Sequence, residues 1–304
     1  IFAIDMHKRV AVVSHATIDH IFRDGIEVVT VGGPICYSGL MVKHCMHDLI
    51  PITKVGNDFL SMNIREVDYI LSSKNALSDK PTTRFRLVIN SSNSRKLFLL
   101  KRCEDISYDD VATSISNGLD ACIVSPVINE IGIDSIRLLA STAGFTILDP
   151  QGLVRRVMDD GSIVITSDML DIGSLSIDAL KVDHSEAYAL TSLYGLDALN
   201  RLSNAFSIAI LTIDNNILMS YNGNVYRLTL DMVGNSVDST GVGDIFTAAY
   251  TLAYIEDRDA LWALCYAASA SYIALTSNRF GIYKVPYVDD VERYAYILDE
   301  RVKD

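Results

Sequence analysis

The chain has 304 residues, of which 49% are hydrophobic and 21% charged, a globular composition with material for a large core. Its formal net charge of −12 excludes non-specific nucleic-acid binding, which needs clustered Lys and Arg. No apolar run reaches the roughly 18 residues that mark a membrane-spanning helix.

Val10–Ser14 is an apolar run of strand length ending at a small polar residue. Ile26–Val31 is rich in β-branched residues and follows Asp24-Gly25, a hairpin signal. Gly32-Gly33-Pro34 punctuates the chain before a predicted helix over Ile35–Met46. Ile50–Val55 reads as a strand and Asp58–Ile64 as a short helix. Thr82–Ile89 and Lys96–Leu100 alternate apolar and polar residues around a turn at Asn90–Ser94, which predicts a hairpin with one open face.

The rhythm then changes. Ala121–Val124, Phe145–Leu148, Ile177–Val182 and Ile208–Ile213 are short apolar runs, with helical segments such as Ile131–Ala143 and Ser185–Leu193 between them. That alternation predicts a parallel sheet covered on both faces. Ile217–Tyr221 and Val225–Leu230 flank Asn222-Gly223-Asn224 as a second hairpin, and helices follow over Gly243–Ile255 and Asp259–Leu275. With no repeat and no linker, residues 1–304 read as one α/β domain carrying a small β lid from about residues 20–31 and 82–101. The five cysteines are scattered and form no Cys-x-x-Cys pair, which predicts reduced thiols in a cytoplasmic protein. His44 and His47 flank Cys45 without a second ligand pair at metal-site spacing. The sequence starts at Ile1 without a Met, which suggests trimming, and Ile1–Ala3 is too short for a signal core.

The most informative string is Asp238-Ser239-Thr240-Gly241-Val242-Gly243-Asp244, directly before an apolar helix. Backbone N–H groups at a helix start have no intrahelical partner and can hold an anion. A carboxylate in the same turn can take a proton from an alcohol. Those are parts of a small-molecule kinase, where catalysis is mostly positioning and charge stabilisation. Gly-x-Gly-Asp alone is also an ordinary turn with an acidic residue at the favourable end of a helix. The longer string resembles the signature of the ribokinase-like, or PfkB, carbohydrate kinases, Asp-Thr-x-Gly-Ala-Gly-Asp, with departures at Ser239 and Val242.

Further segments resemble the same family in the same order. Asp19 stands about five residues after the first strand, where the family places a substrate-binding Asp. Gly32-Gly33 matches its Gly-Gly pair, while Tyr37 replaces the usual Asn. Val55-Gly56-Asn57-Asp58 matches a structural motif. Lys181-Val182-Asp183-His184-Ser185-Glu186 matches Asn-x-x-Glu near magnesium, with Asp183 for the Asn; it is also a capping box. Asp149-Pro150-Gln151-Gly152-Leu153-Val154-Arg155 resembles a string of a branch that includes myo-inositol kinases. After Ile208–Ile213 the family often has Thr-x-Gly-x-x-Gly around nucleotide phosphate; this chain has Thr212-Ile213-Asp214-Asn215-Asn216, without either glycine.

The resemblance implies a three-layer α/β/α sandwich with a mostly parallel central sheet and a small β lid. It implies ATP and Mg²⁺ as cofactors, with a monovalent cation near Asp238 and Thr240. Asp244 is then the general base, and Gly241, Val242 and Gly243 form the anion hole. Asp19, Gly32, Gly33, Gln151 and Arg155 hold a small neutral polyol or sugar, with myo-inositol as the leading substrate. Thr212, Asp214, Thr240 and Asn278 fall to the nucleotide, together with the helix over 267–276 and the loop over 277–281. Asp183 and Glu186 fall to the metal. A nucleoside kinase and a non-catalytic sugar- or nucleotide-binding relative are the alternatives, and a homodimer through the lid is the implied assembly.

Overall fold

Along Arg9–Val13, alternate side chains enter two different cores: Val10 and Val12 join one, Ala11 and Val13 the other. That is the period of a strand buried on both faces. The computed structural model describes residues 7–90, 95–166, 172–231 and 238–302. The predicted turn at Asn90–Ser94 falls largely outside them.

The strands in chain order are β1 (Arg9–Val13), β2 (Thr17–Arg23), β3 (Ile26–Gly32), β4 (Asp48–Ile52), β5 (Val55–Gly56), β6 (Leu77–Ser78), β7 (Thr83–Ile89), β8 (Arg95–Lys101), β9 (Ala121–Val124), β10 (Thr146–Leu148), β11 (Arg155–Val157), β12 (Ile163–Ile165), β13 (Ala179–Asp183), β14 (Ile208–Ile213), β15 (Asn216–Tyr221) and β16 (Asn224–Thr229). The helices are α1 (Pro34–His44), α2 (Tyr108–Ser114), α3 (Ile133–Thr142), α4 (His184–Thr191), α5 (Gly195–Ser203), α6 (Val242–Asp257), α7 (Ala260–Thr276) and α8 (Val288–Val302).

Eight strands form the main sheet in the order β16-β15-β14-β13-β10-β9-β1-β4. β14 through β4 run parallel, and the hairpin β14-β15-β16 adds two antiparallel strands at one edge. α1, α6, α7 and α8 pack in the core on one face, and α2, α3, α4 and α5 in the core on the other. This is the expected α/β/α sandwich. A separate sheet in the order β3-β2-β7-β8 comes from the two stretches foreseen for the β lid.

Three differences from the sequence reading have physical causes. The expected strand over 50–55 is broken: β4 ends at Ile52 and β5 resumes at Val55. Between them Lys54 is buried and donates from Nζ to the Asn75 carbonyl at 2.9 Å and to Asp110 Oδ1 at 3.1 Å. A buried ammonium needs such partners, and reaching them takes the chain out of the sheet. Pro51 is tolerated because β4 is an edge strand. The short helix expected over 58–64 is a 3₁₀ segment, Asn57–Met62. The hairpin β11–β12 and helix α8 were not anticipated, although Val291, Ala295 and Leu298 on α8 are fully buried at helical spacing.

Candidate active site

The C-terminal ends of β1, β9, β10 and β13 meet at one edge of the main sheet, the usual ligand position in an open α/β sheet. A cavity of about 800 Å³ lies there, lined by this edge, by the small sheet and by the start of α6.

α6 begins at Gly241, whose φ of 75° is left-handed and favours glycine. A Cβ at this position would come within 2.4 Å of the Tyr37 ring. Val242, Gly243 and Asp244 form the first turn of this 16-residue helix, so their N–H groups lack intrahelical acceptors and carry the positive end of its dipole. The segment expected from the sequence to hold an anion is thus a helix start whose first N–H groups are free of intrahelical acceptors.

Asp244 is buried in the same turn and lines the cavity. Burial, reinforced by the Asp149 carboxylate, pushes its pKa up to about 7, against the pull of Lys181 and Arg155. Gln151 Nε2 donates to Asp244 Oδ1 at 3.3 Å and lies equally close to Ser125 Oγ. Arg155 Nη2 donates to Gln151 Oε1 at 2.9 Å, and its Nη1 donates to the Val127 carbonyl at 2.8 Å. Arg155, Gln151 and Asp244 thus form one chain of hydrogen bonds along the cavity wall. The turn after β10 is what aims Gln151 inward, with its N–H on Asp149 Oδ1 at 3.3 Å.

Asp19 projects from β2 into the cavity, and burial raises its pKa to about 6. Gly32 pairs with Thr17 in the β2–β3 ladder, and a Cβ on it would stand 2.1 Å from Asp19 Oδ2, so the Asp19 carboxylate lies over this glycine. Three buried polar atoms of cavity-lining residues, Thr17 Oγ1, Asp19 Oδ1 and Tyr37 OH, have no hydrogen-bond partner among the described residues. Unpaired buried polar groups are costly, and a ligand bearing hydroxyls would satisfy them. Gly33 lines the cavity beside them.

On the other side of Asp244, Lys181 Nζ donates to Asp149 Oδ2 at 2.8 Å in a nearly dry pair. Burial works against the ammonium, but Asp149 and Glu186 keep its pKa above the usual lysine value. Lys181 sits directly under the anion hole, since a Cβ at Gly243 would meet its Nζ at 2.9 Å. Asp183 and Glu186 cap α4 reciprocally: Asp183 Oδ1 accepts from the N–H groups of Ser185 and Glu186, and Glu186 Oε2 accepts from the Asp183 N–H. Each keeps a second oxygen, and both residues line the cavity. Burial and the Asp149 charge push the Glu186 pKa up. Among the described residues no group of three His, Cys, Asp or Glu is placed to hold a metal.

No protein-family model matches the chain, and no curated protein matches it in sequence. Solved structures do match its shape. A pyrophosphate-dependent kinase in the ribokinase family, complexed with a pyrophosphate analog and myo-inositol, aligns with a TM-score of 0.75 at 18% identity, over 93% of this chain and 99% of that one. Ribokinase from Thermotoga maritima aligns with a TM-score of 0.73 at 19% identity, over 95% and 99% of the two chains. Arabidopsis thaliana ribokinase complexed with ribose and ATP aligns with a TM-score of 0.72 at 18% identity, over 95% and 99%. The chain has the ribokinase fold.

Within this ribokinase fold Asp19, Gly33, Gln151, Arg155 and Asp244 line one cavity, Gly32 lies outside its lining, and most of the predicted nucleotide-side residues do too. Thr240 lines the cavity. Thr212 and Asp214 stand at the β14–β15 turn, away from the cavity lining, with Asp214 exposed at a φ of 51°. Asn278 is exposed beyond the end of α7, and no residue of 267–281 lines the cavity. Beside Asp238, where a monovalent cation was expected, Lys284 Nζ donates to Asp238 Oδ2 at 2.8 Å. Sequence reasoning missed Lys284, Tyr37, Thr17, Lys181 and Asp149 as parts of the site. Lys181 and Asp149 were inside strings already singled out, and a buried-strand reading of both segments should have asked how their charges are paired. Among the described residues no helix is long and apolar enough to cross a membrane.

Proposed function

We propose that this protein transfers the terminal phosphoryl group of a phosphoanhydride donor to a hydroxyl of a small neutral polyol, with myo-inositol as the leading acceptor and ATP as the donor. The observation that carries this reading is Asp244: a buried carboxylate with a pKa near 7, beside the free N–H groups that open a long helix. A base poised near neutrality is suited to taking a proton from an alcohol.

In this reaction the acceptor O–H proton passes to Asp244 as the acceptor oxygen bonds to phosphorus. The bond from phosphorus to the bridging oxygen breaks, and the shortened donor leaves with the electron pair. The N–H groups of Val242 and Gly243 hold the transferring phosphoryl oxygens, with Lys181 beneath them adding positive charge. Gln151 and Arg155 orient the acceptor and hold Asp244 in place, and Asp19, Thr17 and Tyr37 take its remaining hydroxyls. Mg²⁺, when bound at Asp183 and Glu186, would offset the negative charge of the donor phosphates. The small sheet covers the acceptor end and limits access of water to the transferring group. Its edge strand β3 exposes Ile26 and Val28 on one face and Val29 on the other, and this open edge is suited to pairing with a second copy of the chain.

Pyrophosphate is the second donor reading. It is favoured by the tight β14–β15 turn, which takes Thr212 and Asp214 away from the cavity lining. It also fits the pyrophosphate-dependent kinase among the similar structures. The test is phosphate transfer from Mg·ATP and from Mg·pyrophosphate to myo-inositol, ribose, fructose and adenosine. Turnover with myo-inositol alone supports the acceptor reading. Turnover with adenosine alone turns the assignment to a nucleoside kinase, and acceptor binding without turnover turns it to a non-catalytic binding protein.

A further inference from the structure

Behind the anion hole lies a second ion pair that the proposed reaction does not use. Lys284, in the short 3₁₀ turn Gly281–Lys284, has a side chain with 0% exposure. Its Nζ donates to the Asp238 carbonyl at 2.9 Å and to Asp238 Oδ2 at 2.8 Å. The ammonium also lies 5.7 Å from the centre of the Tyr37 ring, the ring on which Gly241 rests. Asp238 in turn fixes two backbone groups: its Oδ1 accepts from the Thr240 N–H at 2.9 Å, and its Oδ2 from the Gly281 N–H at 3.0 Å.

Two features make this more than a structural ion pair. First, the ligands are a carbonyl and a carboxylate oxygen, the donor types that suit a hard cation. Second, Asp238, Thr240 and Gly241 are consecutive anchors of one turn, and that turn aims the N–H groups of Val242 and Gly243. An unneutralised carboxylate there would oppose phosphate binding and would be costly to bury.

Resting on the phosphotransfer reading above, we propose that Lys284 is a tethered internal cation: a positioning residue that holds the Asp238–Gly241 turn in its anion-binding form, so that the protein needs no free monovalent cation. The Tyr37 ring completes the device. The ammonium lies over this ring, and the left-handed Gly241 packs against it.

The test reads anion binding as well as turnover. The probe is inorganic pyrophosphate, followed by its upward shift of the melting temperature. Each measurement is made in sodium, potassium, ammonium and tetramethylammonium chloride at one ionic strength. The wild-type protein should respond equally in all four salts. Lys284→Met should lose about tenfold or more in pyrophosphate affinity and in kcat, with acceptor KM little changed. Ammonium or potassium should restore a large part of that loss by entering the vacated site, and tetramethylammonium, which is too bulky, should not. Because Lys284→Met removes the ammonium that pairs with the buried Asp238, Lys284→Met/Asp238→Asn serves as the neutral pair. It should remain weak in pyrophosphate binding and indifferent to salt.

Wild-type dependence on potassium or ammonium would overturn the proposal. So would a Lys284→Met protein that binds pyrophosphate normally, or a neutral pair that does so. A wild-type protein that binds pyrophosphate but phosphorylates no acceptor would instead count against the phosphotransfer reading and leave the tethered cation standing.

Discussion

The two ends of the cavity differ in how they are held. At the acceptor end, Arg155, Gln151 and Asp244 are joined side chain to side chain, and the Asp19 carboxylate lies over Gly32. Asp244 sits on the first turn of the buried helix α6, Gln151 in the turn after the buried strand β10 and Asp19 in the buried first half of β2, so packing sets their positions before any ligand arrives. At the donor end, Lys181, Asp183, Glu186 and Thr240 line the cavity, while Thr212, Asp214 and Asn278 do not. In the proposed reaction, proton transfer would therefore fall to the joined side chains, and the donor would meet few side chains beyond those near its phosphates. The acceptor end should tolerate almost no change, and the donor end should tolerate a good deal.

The sharpest way to break that comparison is Asp244→Asn. The amide keeps the shape and cannot accept the proton, so kcat should fall by about 10²–10⁴-fold. Pyrophosphate and acceptor affinity should stay within about threefold, because neither the helix start nor Gln151 is lost. Steady-state rates with isothermal titration of both ligands decide it; near-normal kcat would remove Asp244 from its role. Next in size is Gly241→Ala. The new methyl meets Tyr37 and the residue is held at a φ of 75°, a strain on the order of 1–3 kcal/mol. Relief by shifting the turn should cost kcat about 10²-fold, comparable to losing an anion-hole donor.

Arg155→Leu should act more narrowly. It leaves Gln151 Oε1 without its donor and frees the Gln151 amide to turn from Asp244. Acceptor KM should rise about tenfold while donor KM stays level, which corresponds to losing one charge-assisted hydrogen bond. An equal rise in both would show that the two ends are coupled.

How much of this was legible beforehand follows the same division. Asp19, Gln151, Arg155 and Asp244 were singled out through strings that resemble a known family, and all four line the one cavity. The two cores were legible from strand–helix alternation, since buried parallel strands are apolar throughout. Lys284 was not legible: its partner Asp238 is 46 residues away, and no local pattern links a lysine in Gly281–Lys284 to a carboxylate before α6. The break at Lys54 failed to show for the same reason, because its partners Asn75 and Asp110 are distant in sequence. Helix α8 was within reach, as its buried Val291, Ala295 and Leu298 recur at helical spacing among charges.

The pH response sharpens the acceptor end further. Asp244 has a folded pKa near 7 against an ordinary value of 3.8. If it is the base, kcat/KM should fall about tenfold per pH unit below 7 and level off above it. The stability consequence runs opposite to that of a salt-bridged carboxylate. Between pH 3.8 and about 7 the folded state holds the proton more tightly than the unfolded chain, so stability declines as pH rises through that window. Asp244→Asn should remove the penalty, on the order of 2–4 kcal/mol at pH 8 and close to nothing near pH 4. Thermal melts of both proteins across that range check it, and a gap independent of pH would place the Asp244 pKa near its ordinary value.

The smallest expected effect belongs to the donor end. Asp214 is exposed at a tight turn, and its carboxylate is outside the cavity lining. Removing an exposed charge changes little beyond weak, screened electrostatics. Asp214→Ala should therefore leave kcat and acceptor KM unchanged and alter the KM for ATP and for pyrophosphate by less than about twofold. A change of tenfold for ATP and none for pyrophosphate would be the informative surprise. It would mean that the nucleoside part of ATP lies along the β14–β15 turn while the phosphates stay at α6. The donor end would then be as finely placed as the acceptor end, and ATP rather than pyrophosphate would be the donor the fold is shaped to take.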